Sequence, residues 1–290
     1  MIRSTIPTAR EERRGLSVAS DPLVGLGADS GGMAYFFFDI DGTLIPGTGN
    51  HEVPADTRLA LKQLEAEGNF LAIATGREHC LAVPEMEQLG FRNMVSDGGY
   101  GVTVDGKLLG IDPLDDTQAC FELARECDAQ GIPWAYDSDD IPERLTASQL
   151  FHDLTDAPFQ GSVVIPDLDI TREDHVNRMF VAIGEGREEE TLPALRSLPW
   201  MRYGGANYIY IEPMDKARGI RRILEHFDAE GEDVVVFGDS LNDMSMFLPE
   251  WTRVAMGNAC EELKKKASFV TTAVDDDGIG VALWHYGWIR

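Results

Sequence analysis

Residues 35–38, Tyr-Phe-Phe-Phe, form an unbroken apolar run that stops abruptly at two aspartates, Asp39 and Asp41. A short bulky run with a polar stop reads as a strand buried on both faces, the kind found inside parallel sheets. In open α/β sheets the ligand crevice lies beyond the carboxyl ends of such strands, which puts Asp39 and Asp41 at the mouth of a site. Gly42 lets the backbone turn there and approach a ligand closely. Two carboxylates this close repel, so their joint ionisation calls for a compensating cation or a shared proton. Mg²⁺ meets that need, because it takes one or two carboxylates, keeps waters and completes its shell with substrate phosphate. Asp-x-Asp also arises by chance in an acidic chain. Asp137-Ser138-Asp139 and Asp167-Leu168-Asp169 are read as solvated loops with no apolar strand before them.

The same design recurs. Phe70 to Ala74 ends at Thr75-Gly76-Arg77, and Met94-Val95 ends at Ser96-Asp97-Gly98-Gly99-Tyr100. Val234 to Phe237 ends at Gly238-Asp239-Ser240-Leu241-Asn242-Asp243, with Val254 to Met256 and Phe269-Val270 as further short strands. A hairpin is expected at Gly101 to Lys107, turning on Asp105-Gly106. One helix is expected through Leu61 and Leu64 up to Gly68; another opens at Asp215-Lys216 and puts Ile220, Ile223, Leu224 and Phe227 on one face. Lys216 sits in that helix's first turn, where a cation opposes the dipole unless an anion stands in front of it. Together these predict an α/β fold, a doubly wound parallel sheet of Rossmann type.

Between Pro113 and Ile211 the strand-end signature disappears. Ala119, Cys120, Leu123, Ala124 and Cys127 mark an amphipathic helix; Trp134 to Tyr136, Met179 to Ile183 and Tyr208 to Ile211 read as strands, and Arg187 to Leu198 as a helix. The Asp- and Pro-rich stretch 137–174 has no readable pattern. The expected organisation is a flexible N-terminal arm (1–33), a core (34–112), an inserted α+β layer (113–211) and the rest of the core (212–290).

Fifty acidic residues against 25 basic ones give a formal charge of −25, which argues against nucleic acid or an anionic membrane surface as partner. The four cysteines include no Cys-x-x-Cys pair, and Cys120 and Cys127 read as core residues. No apolar run approaches the roughly 20 residues of a membrane span or resembles a signal peptide, so a cytoplasmic location is expected. Trp284, Tyr286 and Trp288 read as packing anchors.

Phe38-Asp39-Ile40-Asp41-Gly42-Thr43-Leu44, Ala74-Thr75-Gly76-Arg77, Lys216, and Gly238 to Asp243 with Met256-Gly257-Asn258-Ala259 resemble the four motifs of the haloacid dehalogenase superfamily. The long insertion between the second and third motifs is similar to that of its Cof-like hydrolases, which carry a type II cap. The resemblance implies a Mg²⁺-dependent phosphatase of small phosphorylated metabolites, sugar phosphates foremost. It makes Asp39 the nucleophile and Asp41 the acid and base. Thr75 and Lys216 hold phosphoryl oxygens, while Asp39, Asp239 and the Asp41 carbonyl hold the metal. Gly42, Asn242 and Asp243 support that site, and Gly76, Arg77, Asp97 and Gly98 border the substrate. Asp97-Gly98-Gly99 departs from the family's usual Asn-Gly-Ala, so a relative's substrate does not transfer directly.

Three alternatives share these residues. A phosphomutase uses the same core, but mutases of this superfamily usually carry a cap just after the first motif, where only a short loop stands here. A trehalose- or sucrose-phosphate phosphatase fits the cap position. A non-catalytic binding protein on the same fold is disfavoured by the intact Asp39, Asp41, Lys216 and Asp239. The sequence leaves the oligomeric state open.

Overall fold

The computed structural model describes residues 33–47, 52–155, 160–202, 207–229 and 231–290. The expected arm, 1–33, lies outside the described residues except for Met33, as does much of the loop after Pro46. Strands β1 (Tyr35–Phe38), β2 (Phe70–Ala74), β3 (Met94–Ser96), β4 (Gly101–Val104) and β5 (Lys107–Ile111) come first, with helices α1 (Ala55–Ala66) and α2 (His79–Leu89) between them. The middle third adds α3 (Thr117–Gln130), β6 (Trp134–Asp137), β7 (Glu143–Thr146), α4 (Gln149–Thr155), β8 (Gly161–Val164), β9 (Arg178–Val181), α5 (Glu188–Thr191), β10 (Trp200–Met201) and β11 (Ile209–Ile211). The chain ends with α6 (Lys216–His226), β12 (Val234–Gly238), β13 (Thr252–Ala255), α7 (Glu261–Lys266), β14 (Phe269–Val270) and α8 (Gly278–His285).

Two sheets result. The first has eight strands in the order β14-β13-β12-β1-β2-β3-β4-β5, parallel from β14 to β3 and antiparallel through the β3-β4-β5 meander. β1 lies between β2 and β12, its Phe37 in register with Ala72 and Val236. The chain winds to one side of β1 and later returns to the other, so the topological switch point falls between β1 and β12. Phe36, Phe37 and Phe38 are all fully buried, each side chain contributing about 1.5–3 kcal/mol of apolar transfer. Phe38 packs on Phe237 with ring centroids 4.8 Å apart, and Phe36 meets Trp288 edge-on at 5.0 Å. The β4–β5 hairpin turns on Asp105 and Gly106, both at positive φ (52° and 72°), as the Asp-Gly pair predicts.

The second sheet, order β10-β11-β9-β6-β7-β8, is mostly antiparallel, and α3 buries Cys120, Leu123 and Cys127 into its own core. Four expectations need correction. Asp137 is no solvated loop residue: it ends β6 and is buried, because Trp134-Ala135-Tyr136 is the apolar strand before it. Arg187 to Leu198 is not one helix; α5 stops at Thr191 and a 3₁₀ turn follows from Pro193, whose ring cannot continue an α-helix. The unread stretch 137–174 holds β7, α4 and β8. Trp284 is 56 % exposed, too open for a packing anchor, whereas Trp288 is buried. Among the described residues, no helix is long and apolar enough to cross a membrane.

Candidate active site

Asp39 follows β1 directly, with its amide bonded to the Phe237 carbonyl of β12 at 3.1 Å, so the first carboxylate is fixed by the sheet's own ladder. Asp41 comes two residues later on the tight turn closed by Gly42 N to Ile45 O at 2.7 Å. The turn requires glycine twice over: Gly42 has φ +87°, and a Cβ there would collide with the Asp239 carboxylate. Asn258 locks the same turn, giving Nδ2 to the Gly42 carbonyl at 2.8 Å while its Oδ1 accepts from Val274 N.

Lys216, the first residue of α6, is buried and runs under these carboxylates. Its Nζ donates to Asp39 Oδ1 and to Asp243 Oδ1, each at 2.6 Å. The anion that its position in the helix calls for is thus supplied by the protein. Asp243 is also fully buried, and its Oδ2 accepts from the amides of Asp239 (2.9 Å) and Ser240 (3.0 Å), shaping the loop after β12. Asn242 Oδ1 accepts from Ser240 Oγ in that loop, and Thr43 Oγ1 reaches Asp239 Oδ1 at 3.3 Å.

Three carboxylates therefore crowd around one ammonium, which bonds two of them. Burial first, then Asp243, pushes Asp39 up to about 8, with Lys216 pulling the other way. Burial and Asp243 likewise push Asp239 up to about 7. Burial pulls the Lys216 ammonium down, but Asp243 and Asp39 outweigh it and hold its pKa above the ordinary range. The residual negative charge fits a divalent cation, and the donors are hard oxygens suited to Mg²⁺. Oxygens of Asp39, Asp239 and Asp243 all lie within 4.8 Å of one another. The Asp41 side chain stands outside this group.

The carboxyl ends of β1, β2 and β12 open into a crevice of about 670 Å³, lined by Asp39, Asp41, Thr75, Arg77, Ser240 and Asn242 among others. Thr75 is buried, its Oγ1 accepting from Arg77 N at 3.1 Å, and Gly76 follows it in the wall. The Arg77 guanidinium pairs with Asp41 at 2.9 Å and with Glu85. Gly98 donates its amide to Thr75 O and accepts from Asp215 N at 2.7 Å, joining the β2 loop to the start of α6. Asp97 takes another place: it is buried behind the wall, bonded by Ser96 Oγ, the His79 amide and Arg178. Another cleft, about 570 Å³ beside Arg58, Phe70 and Phe91, opens at the opposite ends of the strands, away from these carboxylates.

Sequence reading missed the far wall. Glu78, Gln160, Arg178, Tyr210 and Glu212 line the crevice, the last four from the second sheet's side. An arginine opening the apolar strand Arg178–Val181 was the one available signal.

A model of haloacid dehalogenase-like hydrolases matches residues 36–283. The Bacillus subtilis (strain 168) protein YkrA is 30% identical over 268 residues, covering 88% of this chain and 98% of its own. A crystal structure from Geobacillus kaustophilus HTA426 is 30% identical with a TM-score of 0.74, covering 89% of this chain and all of its own (100%). The subclass IIB sugar phosphatase BT4131 is 29% identical with a TM-score of 0.68, at the same coverage of 89% and 100%. With the motif carboxylates, the lysine and the switch-point crevice in place, the chain belongs to the haloacid dehalogenase-like hydrolase family.

Proposed function

We propose that this chain is a Mg²⁺-dependent phosphatase of small phosphorylated metabolites, sugar phosphates foremost, working through an aspartyl phosphate on Asp39. The observation that carries the reading is a buried Asp39 held by Lys216 at 2.6 Å, with the half-exposed Asp41 two residues away in the same crevice. The similarity to BT4131, a sugar phosphatase, supports it.

Phosphoryl transfer is mostly positioning and charge neutralisation. Lys216 Nζ has three N–H donors and spends two on Asp39 and Asp243, which leaves one for a phosphoryl oxygen. Thr75 Oγ1 accepts from Arg77 N and keeps its own hydrogen for a second phosphoryl oxygen. An Asp39 oxygen attacks phosphorus while Asp41 gives its proton to the departing ester oxygen. Asp41 then takes a proton from water, which attacks the acyl phosphate and frees Asp39 and inorganic phosphate. Mg²⁺, held by Asp39, Asp239 and the Asp41 carbonyl, would supply neutralisation of phosphoryl charge. Asp243 keeps Lys216 and the Asp239 loop in place. The layer 113–211 acts as the cap, covering the crevice and contributing the wall that meets the leaving group.

The stereochemistry at phosphorus tests the covalent step. With a phosphate monoester made chiral at phosphorus by sulfur and oxygen isotopes, configuration is retained if Asp39 attacks first and water second, because each in-line displacement inverts. Net inversion means that water attacks directly and rejects the intermediate.

A further inference from the structure

The end of the crevice away from Asp39 is walled by Glu78, Gln160, Arg178, Tyr210 and Glu212. Its nitrogen donors are largely committed, and the Tyr210 hydroxyl pairs with that of Tyr208 at 2.8 Å. Arg178, buried to 2% side-chain exposure, gives Nε to Glu212 at 3.2 Å, Nη1 to Asp97 at 3.0 Å and Nη2 to the Gly76 carbonyl at 3.1 Å. Its Nη1 also lies 3.5 Å from Glu78 Oε1. Gln160 Nε2 is spent on that same Glu78 oxygen at 2.6 Å. Arg77 turns the other way, toward Asp41 and Glu85.

One guanidinium thus faces three carboxylates: Glu78, Asp97 and Glu212. Asp137 stands behind them with no hydrogen-bond partner on its Oδ2. Burial raises Asp137 well above the usual carboxylate range and favours its neutral form, yet the excess of three acids over one base remains. Burial also raises Glu78, with Arg178 opposing. The wall offers acceptors and negative potential, and few free donors.

We propose, resting on the phosphatase reading above, that this wall selects leaving groups rich in hydrogen-bond donors and free of a second negative charge. These are neutral polyol phosphates and amino-sugar phosphates, with Glu78 and Glu212 accepting their hydroxyl or ammonium hydrogens. Hydrogen bonds to an ionised acceptor are roughly twice as strong as neutral ones, so each donor that reaches a carboxylate is well rewarded. A carboxylate or second phosphate on the substrate meets like charge in a buried wall with no uncommitted cation among its described residues, and repulsion of that kind is how sites reject near-isosteres.

The test uses the full chain loaded with Mg²⁺ and compares substrates that share one phosphate position: glucose 6-phosphate, glucosamine 6-phosphate and 6-phosphogluconate, then fructose 6-phosphate against fructose 1,6-bisphosphate. 4-Nitrophenyl phosphate reports the chemistry alone. The neutral and amino sugars are expected to exceed their anionic counterparts in kcat/KM by at least about tenfold, the scale of one unfavourable charge contact. Glu212→Gln, and Glu78→Gln where the first variant folds poorly, should narrow that gap by about threefold or more, chiefly through KM of the anionic substrate. Turnover of 4-nitrophenyl phosphate with parity, or with preference for the anionic sugars, overturns this inference and leaves the phosphatase reading standing. A gap that both variants leave unchanged rejects the carboxylates as its source. Inert 4-nitrophenyl phosphate overturns the phosphatase reading, and this inference with it.

Discussion

Lys216 is buried between Asp39 and Asp243, and its removal leaves two buried carboxylates with no cation of the protein's own. Lys216→Met is therefore expected to lose activity entirely and to destabilise the metal-free protein by about 3–5 kcal/mol, read from urea unfolding. Asp39→Asn acts in the opposite sense on stability. It is expected to abolish turnover but to relieve the crowding of Asp39, Asp239 and Asp243, so metal-free Asp39→Asn should melt at or above the wild-type temperature. A marked drop in its Tm would mean that the three carboxylates are already balanced without a metal. Adding Mg²⁺ should raise the wild-type Tm and restore activity lost to EDTA, since a ligand that binds only the folded state stabilises it. Full activity in excess EDTA would remove the metal from the mechanism.

At the scale of elements, the turn after β1 and the helix α3 each carry a prediction. Gly42→Ala forces a side chain into a positive-φ position and against the Asp239 carboxylate, so a fall in activity of at least about tenfold is expected, with a stability loss of about 1–3 kcal/mol. On α3, burial pushes the Cys120 and Cys127 thiols up to about 12, with Asp116 and Asp128 adding to it. The folded state therefore holds their protons where the unfolded chain has lost them. Their contribution is fully present below the unfolded value near 9 and is lost as pH rises from there through about 12. Unfolding free energy should decline across that window, and neither thiol should react with iodoacetamide in the native protein at about pH 8. Native-state alkylation of Cys120 or Cys127 would show that α3 opens readily.

For the molecule as a whole, a formal charge of −25 sets the response to salt. Self-repulsion among acidic groups destabilises the compact state, and added ions screen it over about 8–10 Å at physiological strength. The melting temperature should rise from very low to moderate NaCl. A flat or falling profile would mean that attractive pairs such as Arg218 with Asp112 and Asp115 dominate the surface. The two sheets meet across the Arg178 cluster, so the second sheet and the β2 loop are tied by buried charge contacts as well as by the chain itself.

How much of this the sequence determined follows from what is local. Asp39, Asp41, Thr75, Asp239 and Asp243 were legible because each follows an apolar run, and a buried parallel strand delivers whatever stands at its carboxyl end to the crevice. Lys216 was legible because a cation in a helix's first turn needs an anion nearby. The stretch 137–174 was opaque, since its short strands are interrupted by Pro and Asp and hide the two-residue alternation that marks a strand. The far wall was invisible for a different reason. Arg178 bonds to Asp97 and to Gly76, 81 and 102 residues away in sequence, and no periodicity relates a strand of one sheet to a loop of another. Burial of that arginine among Glu78, Asp97, Asp137 and Glu212 exists only once the two sheets are packed together. The strand ends wrote the carboxylates at the mouth of the crevice into the sequence, while the packing of the second sheet against the first decided what lines its far wall.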